Sequence, residues 1–136
     1  MPLIQALTGL ENWGIFVLRI AIGIIFLYHS IPKLTKSSML AKAIGKSTAF
    51  IVILGLAELI ASFLVILGLY TQIGAIILSI VMLGAIYYKV FVWKIPFAAQ
   101  DKTGFEFDLI LLATALALLV LGAGTFSLDT IMGLYP

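Results

Sequence analysis

Four apolar stretches leave this chain few ways to fold. They run from about residue 9 to 31, 49 to 70, 73 to 93 and 105 to 126. Each is close to the roughly 20 residues that a bilayer-spanning helix needs. Lipid offers the backbone no hydrogen-bond partner, so such stretches span as helices or as closed barrels. Barrel strands would be short and alternating, and no such pattern is present. The expected fold is all-α: an integral membrane four-helix bundle, antiparallel and up-down, forming a single transmembrane domain over residues 1–136. Hydrophobic residues make up 63% of the chain and charged ones 10%, against about 45–50% and about 25% in a soluble domain. So few charges cannot cover a water-facing surface, and the lipid bilayer is the first partner to expect.

A formal net charge of +2, scattered along the chain, does not make a nucleic-acid interface. The absence of cysteine removes disulfides, thiolate nucleophiles and thiolate-held clusters. The first residues carry no basic n-region and no small-residue cleavage site, so no signal peptide is expected.

The connections set the topology. Thr71 and Gln72 alone separate the second and third spans, which calls for a tight hairpin. The segment 32–48 carries Lys33, Lys36, Lys42 and Lys46. Its Met39, Leu40, Ala43 and Ile44 recur at helical spacing, as in a short amphipathic helix on the headgroups. All seven Lys fall in or beside the first and third connections. The excess of cations on cytoplasmic loops then places 32–48 as a basic cytoplasmic loop and both termini outside. At the start of the first span, Thr8 and Glu11 have the spacing of a capping box.

Arg19 and Glu58 each sit inside an apolar span, where an ionised side chain costs roughly 2.5–3.5 kcal/mol on insertion scales and marks a pair, a site or a pathway. Arg19, Gly23, Phe26, Ser30 and Lys33 follow one another along one helical face. Arg19 lies about 15 Å from the outer end of the first span and Glu58 about 14 Å from the inner end of the second, at 1.5 Å per residue. Antiparallel neighbours bring both to mid-depth, so an Arg19–Glu58 salt bridge is expected, either as a lock between two helices or as part of a site. A second polar group is expected near the cytoplasmic face, where His29 and Lys33 end the first span and Glu106 and Asp108 begin the fourth. The two acids also suit a helix N-terminus. His29 either bonds a backbone carbonyl or handles protons. With one His and dispersed carboxylates, no metal motif is present. No flavin, haem, cluster or nucleotide motif appears, so no cofactor is expected in the chain itself.

The blocks LRIAIGIIFLYHSIPKL, GLAELIASFLVILGLYTQIGA, GFEFDLILL and LGAGTFSLD resemble, in order and spacing, the DoxX family of small four-helix membrane proteins. The residues that carry the resemblance are Arg19, Gly23, Phe26, Lys33 and Leu34, then Glu58, Gly68, Thr71 and Gly74, then Gly104 and Glu106, and last Gly122, Gly124, Ser127, Leu128 and Asp129. His29 stands where a small residue is frequent, and Thr71-Gln72 replaces Thr-Arg. The cysteines of the methylamine-utilisation and vitamin-K-reductase-like branches are missing, so thiol chemistry is not implied. The resemblance implies a prokaryotic plasma-membrane protein associated with redox metabolism, in some relatives with thiosulfate:quinone oxidoreduction.

Three functions fit. In the first, Arg19, Glu58 and Glu106 line an inner cavity that binds a quinone or another small molecule, and His29 exchanges protons with the cytoplasm. The electron source would be a redox partner protein, so any oxidoreduction is not autonomous. In the second, the chain is a non-catalytic scaffold or assembly subunit held by its interior ion pair. In the third, it is a small transporter or proton pathway gated by Arg19 and Glu58, which needs a homo-oligomer for any wide pore.

Overall fold

The computed structural model describes residue 7 and residues 9–134. These residues form six α-helices and no strand: α1 Glu11–Thr35, α2 Ser37–Ile44, α3 Thr48–Leu67, α4 Thr71–Tyr87, α5 Phe105–Leu121 and α6 Leu128–Ile131. A π-turn, Tyr88–Val92, continues α4. Three helices are long and apolar enough to cross a membrane: Glu11–Thr35, Thr48–Leu67 and Thr71–Val92. The fourth expected span is shorter than anticipated. α5 has 17 residues, about 26 Å at 1.5 Å per residue against a hydrocarbon core of about 30 Å.

Helix ends differ from expectation for local reasons. α1 begins at Glu11 with Leu10 at its cap position and no side-chain cap; Thr8, expected to cap it, lies outside the described residues. At its other end α1 runs past residue 31 and through Pro32. Proline lacks its own donor and its ring crowds the carbonyl four residues back, but its carbonyl still accepts the Lys36 N–H at 2.8 Å, which carries the last turn on to Thr35. Most of segment 32–48 is therefore helical rather than loop. In α2 the apolar face also shifts. Ala41 is buried, Leu40 and Ile44 line an internal cavity, and Met39 is exposed, because α2 packs on α3.

α3 starts where the Ser47 hydroxyl accepts the Phe50 N–H at 3.1 Å. It ends at Gly68, whose φ of +67° suits a residue without a Cβ. There Leu69 N–H bonds the Leu64 carbonyl at 2.9 Å and Gly68 N–H the Val65 carbonyl at 3.3 Å, the paired closure that stops a helix. Gly104 answers a different need. The Phe97 carbonyl lies where its Cβ would be, because that carbonyl accepts the Glu106 N–H at 3.1 Å at the start of α5.

α1 packs most extensively on α3, and α4 on α5. Gly23, midway along α1, sits against Ile66 and Ser62 late in α3; Gly55, in the first half of α3, sits against Lys33 and Leu34 late in α1. Gly74 of α4 lies against Ala61, Leu64 and Val65 of α3. Small residues at these points let the backbones approach. Ile22, Phe26, Ala61, Val65, Leu78, Ala115 and Leu118 fill the core between them.

At Gly74 a Cβ would meet Val65 Cγ2 at 2.9 Å and the Ala61 carbonyl at 3.1 Å, whereas at Gly84 it would meet nothing within 4 Å. Gly74→Val is expected to lose about 1–3 kcal/mol through overpacking and to lower the thermal midpoint in detergent followed by circular dichroism. Gly84→Ala is expected to leave that midpoint unchanged or raise it.

Candidate functional site

Charged side chains gather at two ends of the molecule. At the end marked by the α3–α4 hairpin, Arg19 is 1% exposed and, among the described residues, forms no salt bridge with a carboxylate. Its Nε donates to the Val65 carbonyl at 2.9 Å and its Nη2 to the Ile66 carbonyl at 2.9 Å. Its Nη1 donates to the Ala123 and Phe126 carbonyls, both at 2.7 Å. Val65 and Ile66 lie in the last turn of α3, at the negative end of its dipole; the Val65 carbonyl already takes the Gly68 N–H at 3.3 Å, while that of Ile66 is one of the carbonyls a helix end leaves free. Ala123 and Phe126 belong to the turn between α5 and α6. One guanidinium thus ties α1 to the end of α3 and to the C-terminal turn.

Asp129 completes this end. It is 1% exposed, and its carboxylate accepts the Tyr70 N–H at 2.7 Å and the Thr71 N–H at 3.1 Å. These are the first free amides of α4, where a negative charge is favoured. The Asp129 N–H in turn bonds the Gly68 carbonyl at 2.8 Å. Opposite charges therefore hold opposite ends of two successive helices across one tight turn.

At the other end two ion pairs face a common cavity of about 520 Å³. Lys33 Nζ lies 2.6 Å from Glu58 Oε2, and Lys89 Nζ lies 2.6 Å from Asp108 Oδ2. The carboxylates are almost closed off, at 2% and 8% exposure, and the ammonium-bearing side chains less so, at 21% and 15%. Lys33 Nζ also donates to the His29 carbonyl at 3.2 Å. The His29 ring lines the same cavity and lies 6.3 Å from that of Phe107. The remaining wall is mostly apolar or aromatic, with Phe50, Leu54, Ile80, Tyr88 and Trp93 among its residues. Tyr88 and Trp93 bracket the π-turn, closed by a 2.8 Å bond from Trp93 N–H to the Tyr88 carbonyl. Such turns occur often at functional sites.

The expected Arg19–Glu58 salt bridge is absent. The α1–α3 register sets Arg19 against Val65 and Ile66, about 11 Å along the helix from Glu58 at 1.5 Å per residue. Glu58, His29, Lys33 and Asp108 do meet, as a polar group at one end. Glu106 stays apart, beside Gly104 and the Phe97 carbonyl, and does not line the cavity. Lys89 and Asp129 were not foreseen as site residues. Lys89 shares a helical face with Ala85 and Met82, four and seven residues back, which is the signal that would have found it. Asp129 bonds amides, and no side-chain pattern marks that. No three His, Cys, Asp or Glu residues gather as a metal site among the described residues.

A helical membrane protein with ionised side chains held inside its apolar spans is the class that these features define. The chain belongs to the DoxX family: the model of that family matches residues 14–93, which take in Arg19, Lys33, Glu58 and Lys89. It is also similar to a Bacillus subtilis (strain 168) protein named "Putative oxidoreductase CatD", at 30% identity over 119 residues, covering 85% of this chain and 84% of that protein. No solved structure matches the chain.

Arg19→Lys keeps the charge but replaces a planar fork with a single point donor. It is expected to lose about 2–4 kcal/mol, because buried carbonyls are left without partners. The exchange Arg19→Glu with Glu58→Arg is expected to restore none of this. Thermal unfolding in detergent and the monodisperse fraction on size exclusion measure both.

Proposed function

We propose that this protein is a quinone- or small-molecule-binding accessory subunit of a membrane redox system. The observation that carries the reading is the cavity into which Lys33–Glu58, Lys89–Asp108 and His29 open, while the rest of its wall is mostly apolar. Its size lies within the usual range for small-molecule sites, about 300–1,000 Å³, and its polar groups suit a flat ring with oxygen acceptors. The oxidoreductase name of the similar Bacillus subtilis protein agrees with this reading.

In this reading the two ammonium groups donate to ring oxygens, and the carboxylates hold them in place. An ammonium has three donors, and Lys33 uses two of them on Glu58 and the His29 carbonyl, so one remains. His29 holds a proton at the edge of the cavity. A bound quinone supplies electron-accepting chemistry; the electrons come from a partner protein. The Lys-rich end faces the cytoplasm of a prokaryotic plasma membrane, both termini lie outside, and α1, α3, α4 and α5 form an antiparallel four-helix bundle. A non-catalytic scaffold is the second reading. It is favoured by the saturation of Arg19, which leaves that residue a structural part.

Replacing a buried ion pair by apolar residues of similar volume is often neutral or stabilising. Lys33→Met with Glu58→Met is therefore expected to keep the thermal midpoint while weakening quinone-analogue binding about tenfold or more, as two directed polar contacts are lost. Quenching of Trp93 in a Trp13→Phe background reads the binding. Retained affinity in the double variant sinks the quinone site, and the absence of any response to quinone analogues favours the scaffold. For topology, Met132→Cys is expected to react with an impermeant maleimide on intact cells, and Lys42→Cys only after permeabilisation.

A further inference from the structure

We infer that the cavity is entered sideways from the bilayer, through a slot between α3 and α4 at Gly84, and that it takes a tailed amphiphile. The aromatic head would sit at the ion pairs and an aliphatic tail would fill the slot. This rests on the reading of the cavity as a ring-binding site and adds the route and the tail.

The slot follows from how the two helices part. At the hairpin end they touch, with Gly74 against Ala61 and Val65. Toward the basic end residues of both helices line the cavity instead, and a Cβ at Gly84 would meet nothing within 4 Å. Residues on both sides of the gap line the cavity and are also exposed on the outer face of the molecule: Phe50 at 42%, Ile80 at 64%, and Gly84. All three lie in helices long and apolar enough to cross a membrane. An opening there meets acyl chains rather than water. Leu40 and Ile44 of α2 cover the cavity from the basic end.

Polarity within the cavity runs the same way. The carboxylates of Glu58 and Asp108 are buried, while the residues at the mouth are apolar. A molecule entering from lipid leads with its polar head and leaves its tail in the slot. The inner charges, two ammonium and two carboxylate groups, balance, so an uncharged head fits without bringing in an unpaired charge.

Gly84→Phe tests the slot without threatening the fold. Its Cβ has open space, and a helical side chain leans over the preceding turn, here toward Ile80. The probes are a 1,4-benzoquinone bearing a decyl chain and the same ring bearing only methyl groups, added to Trp13→Phe protein in phosphatidylcholine nanodiscs. Trp93 quenching is read per mole of lipid-dissolved probe. The wild-type slot is expected to favour the decyl probe by about threefold or more: lipid already solvates the methylenes, so the gain is the tail's closer packing against protein side chains and not its removal from water. Gly84→Phe is expected to erase that preference while changing the methyl probe's affinity by less than about twofold, and Gly84→Ala to match the wild type. An unchanged decyl preference in Gly84→Phe overturns the slot, as does an equal loss for both probes. If neither probe quenches Trp93 in the wild type, the ring site itself is wrong and the slot falls with it.

Discussion

A buried guanidinium that finds its partners in the backbone, not in a carboxylate, organises this molecule. α3 stops inside the protein, and its last carbonyls must be satisfied where neither water nor lipid can help. Arg19 reaches two of them, at Val65 and Ile66, and two more at Ala123 and Phe126. Only arginine carries a planar fork with enough donors for four acceptors on two segments. Together with the close approaches at Gly23 and Gly55, the contact holds α1 at its height on α3, and it ties the C-terminal turn to the hairpin end. Asp129, carried on that turn, then meets the free amides of Tyr70 and Thr71.

Because Arg19 is committed there, Glu58 must find its cation elsewhere. It finds Lys33, a long side chain at the far end of α1. Lys89 does the same for Asp108 from the π-turn. The charges thus divide into two arrangements with different chemical capacity. The clasp at the hairpin is closed and nearly saturated. The two lysine pairs lie beside open volume with donors to spare. The first suits holding helices together; the second suits holding a molecule.

Much of this was legible in the chain. The apolar runs marked the long helices within a few residues, and the face Arg19, Gly23, Phe26 and Ser30 is buried as the spacing required. The helical period within 32–48 also proved real, although α2 turns its apolar side inward. The grouping of His29, Lys33 and Asp108 followed from their common place at the ends of α1 and α5. The pairing of Arg19 did not follow. Residue counts along each span estimate depth, but the register between α1 and α3 rests on close approach at Gly23 and Gly55. A shift of a few residues in that register moves a long side chain from one partner to another.

Apolar length and the rarity of charge, properties of the chain alone, therefore decided that the protein is helical and lives in a membrane, and which few residues carry charge into it. Which acceptor each charge meets was decided only in three dimensions. Backbone carbonyls and amides occur at every position and leave no mark in a side-chain sequence. Where a helix ends against another element determines which of them become free. That is why Arg19 was visible as an internal charge from the outset, while its role at the end of α3 emerged only once the helices were packed.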